Sequence, residues 1–271
     1  MSTTLPSSPL STTMRSMTWD RELCWFICVR VTQQQAGTRA RGLRAGAGLV
    51  TLLSPPDALQ VNASHLTAVM LKAFTGQEEL CETLKSASVA ILGPAAGVTA
   101  STRTNVECLL SSDVRAVLDA DALTVFESDR EALYGLLRPT DLITPHIGEF
   151  ARLFGNLLET EVNKVEAARK AAQLAGCVVL LKGPDTVIAS PDGAAIVNTH
   201  ATRWLATAGS GDVLAGIAGG LMAQGVETFT AAAMATWLHG EAGRRVGAGL
   251  ISEDLEKQLP DILSALHGEH R

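Results

Sequence analysis

"NKVEAARKAAQLAGCVVLLKGPDTVIASPDGAAIVN", residues 163–198, contains both periodicities that an α/β fold needs. Residues 163–176 have the apolar spacing of an amphipathic helix and end on Gly176, a residue suited to a helix C-terminus. At 176–183 the pattern changes to "GCVVLLKG", nearly continuous in apolar character, as a strand covered on both faces should be. The next two runs, "DTVIAS" (185–190) and "AAIVN" (194–198), are separated only by "PDG", which predicts a hairpin.

Upstream, comparable runs recur at "GLVTLLS" (48–54), "SVAILG" (88–93), "RAVLDA" (115–120) and "DLITP" (141–145), with longer helical stretches between them. Strand alternating with helix specifies an α/β fold, with a mostly parallel central sheet and helices on both faces. Downstream of the hairpin, "GDVLAGIAGGLMAQG" and "ETFTAAAMATWLHGEAGRRVG" read as two successive helices. Ligands of such sheets bind outside the carboxyl ends of the strands. The informative positions are therefore Gly93, Asp119, His146, Lys182 and Asn198, each at or just after the end of a run.

The chain has 271 residues, 46% of them hydrophobic, which is enough for one sizeable core. Twenty-eight acidic against 22 basic residues give a net charge of −6 without a basic block, so no nucleic-acid partner is expected. The five cysteines, Cys24, Cys28, Cys81, Cys108 and Cys177, are scattered and form no CxxC pair. That pattern fits a reduced, cytoplasmic setting with structural cysteines and does not fit zinc. "LCWFICV" (23–29) is too short to span a membrane and reads either as a strand or as non-native-like sequence. Residues 1–36 are expected to be an atypical, partly disordered N-terminal segment, most clearly the Ser/Thr/Pro-rich stretch 1–18, with the folded domain at 37–271.

The second chemical signal is "TAGSGDVLAGIAGG" (207–220). A helix starting at or next to Asp212 turns its free N–H groups and positive dipole end toward the loop 208–211, a ready site for phosphate. Asp212 has two readings, an N-cap stabilising by about 1 kcal/mol or a base toward a hydroxyl brought to that phosphate. Gly216, Gly219 and Gly220, costly in a helix, point to close packing against a neighbour.

"GSGDVLAG" resembles the corresponding element of the NAD(P)H-hydrate dehydratases, which belong to the ribokinase-like superfamily. "LITPHIGEFARLFG" (142–155) is similar to the TPHxGE segment of that family, and "VVLLKGPDTVIASPDG" (178–193) to its LKGxxT segment. "GLRAGAGLVTLLSP", "ILGPAAG", "AVLDADAL" and "WLHGEAG" fall in the same order, so the resemblance covers about residues 37–260.

The resemblance implies a ribokinase-like fold and repair of hydrated NADH or NADPH, in the S form, with ADP or ATP as co-substrate and Mg²⁺. The ring hydroxyl is phosphorylated and phosphate is then lost. Asp212 is the implied base and also a substrate contact, together with Gly97 and His146. Lys182, Gly183, Pro184, Asp185, Thr186 and Gly211 are the implied nucleotide-binding residues.

Glu149 sits where related kinases place a magnesium-linked acid, or is an early-turn carboxylate favoured by the helix dipole. Asp119 and Asp121 either face phosphates through a metal or cap a turn. A homo-oligomer, with neither membrane nor nucleic acid as partner, is the expectation carried over. Many bacterial members are fused to an N-terminal epimerase domain, which no segment here resembles.

Three departures stand out. "GPAAG" carries Ala95 where GPGxG is more frequent, "ATRWLATAG" (201–209) lacks the usual proline and double glycine, and no GGSxGxxGA-like loop precedes Gly42. The last leaves open a nucleotide-binding remnant without activity. A kinase for a small alcohol such as a vitamin precursor shares the GSGD logic, but it matches the TPHxGE and LKGxxT pair less well.

Overall fold

The structure, a computed structural model, describes residues 25–29, 42–64, 66 and 68–268. The expected disordered stretch 1–18 and the segment immediately before Gly42 lie outside them.

Among the described residues, nine strands form one sheet in the order β3-β2-β1-β4-β5-β6-β7-β8-β9. They are β1 (Trp25–Val29), β2 (Leu49–Ser54), β3 (Met70–Ala73), β4 (Val89–Leu92), β5 (Arg115–Leu118), β6 (Leu142–Ile143), β7 (Val178–Leu181), β8 (Thr186–Ala189) and β9 (Ala195–Asn198). Every pairing from β3 across to β7 is parallel, and only the β7–β8 and β8–β9 pairings are antiparallel. The fold is the expected mostly parallel sheet, and the PDG hairpin joins β8 to β9 with Ala189 opposite Ala195.

β1 lies between β2 and β4, with Phe26 opposite both Val50 and Val89. The sheet thus reaches back across the expected domain boundary at residue 37. A parallel neighbour on each side supplies hydrogen bonds to this short run, which no local periodicity marks out.

Two cores flank the sheet. Leu92, Leu118, Ile143 and Val179 face a layer that includes Leu109, Phe150 and Ala171. Ile91, Val117, Leu142 and Val178 face the opposite layer, with Val213, Ile217, Met234 and Leu238. Consecutive residues thus enter different cores, which is why these strands read as unbroken apolar runs.

α1 (Pro56–Ser64) packs on β2 and β3. The helices of the first layer include α2 (Gln77–Leu84), α3 (Ala100–Leu110), α4 (Asp121–Thr124), α5 (Arg130–Tyr134), α6 (Ile147–Phe154), α7 (Leu157–Thr160) and α8 (Lys164–Ala175). The second layer holds α9 (Ser210–Ala223), α10 (Thr228–Val246) and α11 (Ser252–His267). α8 ends as expected, with Gly176 in the left-handed conformation at φ 67°. Gly220 on α9 accounts for one of the helix glycines, since a Cβ there would lie 2.7 Å from the carbonyl oxygen of Gly42.

The expectation of a reduced setting for the scattered cysteines is corrected at one place. Cys81 on α2 and Cys108 on α3 are joined by a disulfide, because the packed helices bring their Cα atoms within 6.4 Å. Cys177 is free and buried.

Tyr134 donates to the carbonyl of Leu153 at 2.6 Å, and burial pushes its phenol up to about 12 from 10.0. The folded chain keeps this proton where the unfolded chain loses it, so stability falls as pH rises from about 10 to about 12. Tyr134→Phe is expected to flatten that decline in urea titrations across this range, and an unchanged slope would refute the assignment.

Candidate active site

Parallel strands bring their carboxyl ends to one edge of the sheet, and residues far apart in sequence meet there. Gly97 follows β4, Asp119 follows β5, His146 follows β6 and Lys182 follows β7, on four consecutive strands of the sheet. Neighbouring strands lie roughly 4.8 Å apart, so long side chains bridge across the edge.

Lys182 is the centre of this arrangement. Its ammonium lies 2.6 Å from Asp119 Oδ1 and 3.9 Å from Glu149 Oε2. Burial opposes its charge, but the carboxylates of Asp119 and Glu149, with Asp212 beyond them, outweigh that and hold its proton above the usual lysine range. A cation is therefore fixed at the sheet edge through the physiological range.

α9 approaches this cation with its N-terminus. Its N-cap is Gly209, at φ 80° and without a side-chain cap, and the helix begins at Ser210. Asp212 therefore lies inside the first turn, and the N-cap reading of this acid is excluded by the helix boundary. A Cβ on Gly211 would lie 3.5 Å from Lys182 Nζ and 4.0 Å from Asp119 Oδ2, which places the helix start directly beside the ion pair. His239 of α10 braces this start, with Nε2 3.0 Å from both Oγ and the carbonyl oxygen of Ser210. "WLHGEAG" belonged to the resemblance, yet its histidine had no distinguishing signal of its own.

A cavity of about 600 Å³ opens in front of α9. It is lined by six of the residues expected to bind ligand: His146, Lys182, Gly183, Pro184, Thr186 and Gly211. Leu205, Ala206 and Leu214 provide apolar wall, while Asn198, Arg203 and His239 provide polar groups that the expected set lacked.

Thr186 closes the LKGPDT turn, its hydroxyl donating to the Gly183 carbonyl at 3.0 Å. Asp185 does not line the cavity; its carboxylate accepts from Lys164 at 2.9 Å, and that bond holds it below the usual range. The turn geometry explains this, because a tight connection between antiparallel strands turns adjacent side chains to opposite sides.

His146 is the N-cap of α6. Its Nδ1 accepts from the backbone of Gly148 at 2.9 Å and Glu149 at 3.2 Å, and its Nε2 lies 3.3 Å from Glu149 Oε1. Glu149 reciprocates by accepting from His146 N at 2.8 Å, which completes a capping box. The early-turn reading of Glu149 is therefore present in the structure, and the same buried carboxylate also faces Lys182.

Gly97 lies outside the cavity lining, one strand along the edge from Asp119, and its N–H donates to Asp121 Oδ2 at 2.8 Å. Ala95, two residues earlier, adopts φ 56°. A side chain disfavours that conformation by roughly 1–2 kcal/mol, which explains why glycine suits the position. Ala95→Gly is expected to leave the fold intact and to raise stability by about 1 kcal/mol, read from the urea midpoint. A fall in stability would show that Ala95 is not strained.

The residues present do not form a resident metal site. Among the described residues no three His, Cys, Asp or Glu side chains converge on one point. The Lys182 ammonium also occupies the space between Asp119 and Glu149. No helix among the described residues is long and apolar enough to cross a membrane.

Residues 38–263 match the family described as NAD(P)H-hydrate dehydratase. A bifunctional NAD(P)H-hydrate repair enzyme of Moorella thermoacetica is 37% identical over 84% of this chain and 46% of its own length. An ADP-dependent (S)-NAD(P)H-hydrate dehydratase of Neisseria meningitidis is 42% identical over 53% of this chain and 51% of its own length. The chain thus spans about half the length of these curated relatives. Among solved structures, an ADP/ATP-dependent NAD(P)H-hydrate dehydratase of Bacillus subtilis, co-crystallized with ATP/Mg²⁺, superposes with a TM-score of 0.78. The match covers 94% of this chain and 97% of that one at 22% identity, and an Enterococcus faecalis ribokinase-like superfamily protein reaches 0.79 at 21%. At those identities the likeness establishes the ribokinase-like fold.

Proposed function

We propose, for a chain that belongs to the NAD(P)H-hydrate dehydratase family, that it restores NADH or NADPH from the S form of the hydrated cofactor and converts ADP to AMP and phosphate. The observation that carries this reading is the start of α9, where Ser210 and Gly211 line the cavity and Asp212, next in the first turn though not itself in the lining, acts on the charge of Lys182.

A hydroxide is a poor leaving group and phosphate a good one, so the dehydration divides into two steps. Asp212 accepts the proton of the ring hydroxyl, whose oxygen attacks the terminal phosphorus of ADP. The bond from that phosphorus to the bridging oxygen breaks, and AMP leaves. Loss of the new phosphate ester with its electron pair, and of a ring proton, regenerates the reduced cofactor.

The N–H groups of the first turn of α9 and the Lys182 ammonium stabilise the charge on the transferring group. Gly183, Pro184 and Thr186 hold the nucleotide against the cavity wall, and His146, with Gly97 on the neighbouring loop, receives the hydrated ring. Asp185, turned toward Lys164, contributes through the backbone of its turn. Magnesium would be held by the nucleotide phosphates rather than by the protein groups, and it would offset the phosphates' charge. On family resemblance alone, the proposal extends to a cytoplasmic homo-oligomer whose hydrate is supplied by an epimerase activity.

The test supplies hydrated NADH with ADP and with ATP and follows recovery of the NADH absorbance. The expected result with ADP is NADH, AMP and phosphate in equal amounts. A stable phosphorylated product would favour a kinase, and nucleotide binding without recovery would favour an inactive remnant.

A further inference from the structure

Between the nucleotide residues and the substrate loop lies the turn Asp119-Ala120-Asp121, which joins β5 to α4 and has no role in the steps above. Asp119 is 1% exposed. Its Oδ1 accepts from both Lys182 Nζ at 2.6 Å and the backbone of Ala120 at 2.9 Å, so two donors hold this one oxygen in place. Two residues on, Asp121 Oδ2 accepts from Gly97 N at 2.8 Å. One arm therefore reaches past β6 to the end of β7, and the other reaches the loop after β4.

Ala120 separates the two arms at φ 50° and ψ −119°, a backbone conformation that L-residues rarely adopt. In a regular strand, residues 119 and 121 would point to the same face. Here they engage partners on opposite sides of β5. The main chain beneath is rigid: Asp119 N donates to Leu92 O at 3.1 Å, and Thr144 N to Leu118 O at 3.0 Å. A strained, rigid turn that places one carboxylate on each half of a two-substrate site has more than a packing role.

We propose that this turn is a two-armed positioning element, in which Asp119 aims Lys182 at the nucleotide phosphates and Asp121 sets the Gly97 loop for the hydrated ring. The inference rests on the dehydratase reading. It differs from a purely structural role in one consequence: the two carboxylates act on different ligands. Loss of Asp119 lets the Lys182 ammonium swing toward Glu149 and away from the phosphates. Loss of Asp121 frees the Gly97 N–H and with it the loop.

The experiment measures ADP and NADH affinities by calorimetry, and KM for ADP and for hydrated NADH, on the full chain and its variants. Asp119→Asn is expected to weaken ADP by about tenfold or more with NADH and hydrate changed less than about twofold. Asp121→Ala is expected to do the reverse, and Asp121→Asn, whose amide oxygen can still accept from Gly97, to recover most of the loss. Should Asp119→Asn not fold, Asp119→Glu, which displaces the carboxylate by one methylene, takes its place with the same expected split.

Equal weakening of both ligands by either variant, or failure of Asp121→Asn to recover affinity, would overturn the proposal. If the parent chain binds both ligands without turnover and the variants still split them, the dehydratase reading fails and the positioning role stands. A parent chain that binds neither ligand overturns both.

Discussion

Asp212→Asn is expected to lower the rate of NADH recovery by about 10²–10⁴-fold, the range typical for loss of a positioned general base. Asp212 is not the N-cap of α9, and the amide costs the helix a dipole interaction of about 0.3–1 kcal/mol together with the attraction to Lys182. ADP affinity is expected to persist or to tighten, because a negative charge leaves a site already supplied with the cation of Lys182 and the start of a helix. Stopped-flow absorbance with and without ADP, beside calorimetric ADP binding, checks both halves of the statement. A variant that turns over within a factor of three of the parent would remove Asp212 from the chemistry.

The second large effect is structural and reaches the same site. Gly93, at the end of β4, has φ 133°, and a Cβ there would lie 1.6 Å from the carbonyl oxygen of Asp119 and 3.0 Å from Ala122 Cβ. Neither obstacle is a flexible side-chain end; one is backbone and the other is a short side chain fixed to α4. Gly93→Ala is thus expected to cost more than about 4 kcal/mol, in the range reserved for severe strain or overpacking. What still folds should have lost ADP affinity, because the displaced segment carries Asp119. Gly135→Ala supplies the contrast, since a Cβ there meets only carbonyl oxygens at 3.5 and 3.8 Å, an ordinary contact. That change is expected to stay within about 0.5 kcal/mol by urea unfolding. Comparable midpoints for the two variants would refute the packing argument.

Most of the sheet was legible because its strands are buried on both faces, which leaves unbroken apolar runs such as "VVLL" and "VAIL" in the text. β3, "MLKA", escaped notice for the opposite physical reason: it is a short edge strand with no buried residue and hence no apolar pattern. A strand was one of two open readings for β1, and its place between β2 and β4 comes from pairing partners distant in the chain. The pairing of Cys81 with Cys108, 27 residues apart, likewise depends on how α2 packs against α3.

By itself, the sequence determined the alternation of strand and helix, the hairpin at PDG, and the run of short motifs that identify the family, because these reside in local periodicity and residue type. His146, Lys182 and Gly211, which the motifs singled out, line one cavity. Tertiary structure alone decided which charges meet: Lys182 with Asp119 across 63 residues, Asp121 with Gly97 across 24, and Asp185 turned away to Lys164. Local propensity carries no information about a partner that arrives from another strand. Strand order and side-chain direction select that partner, and they settle only when both faces of the sheet are covered.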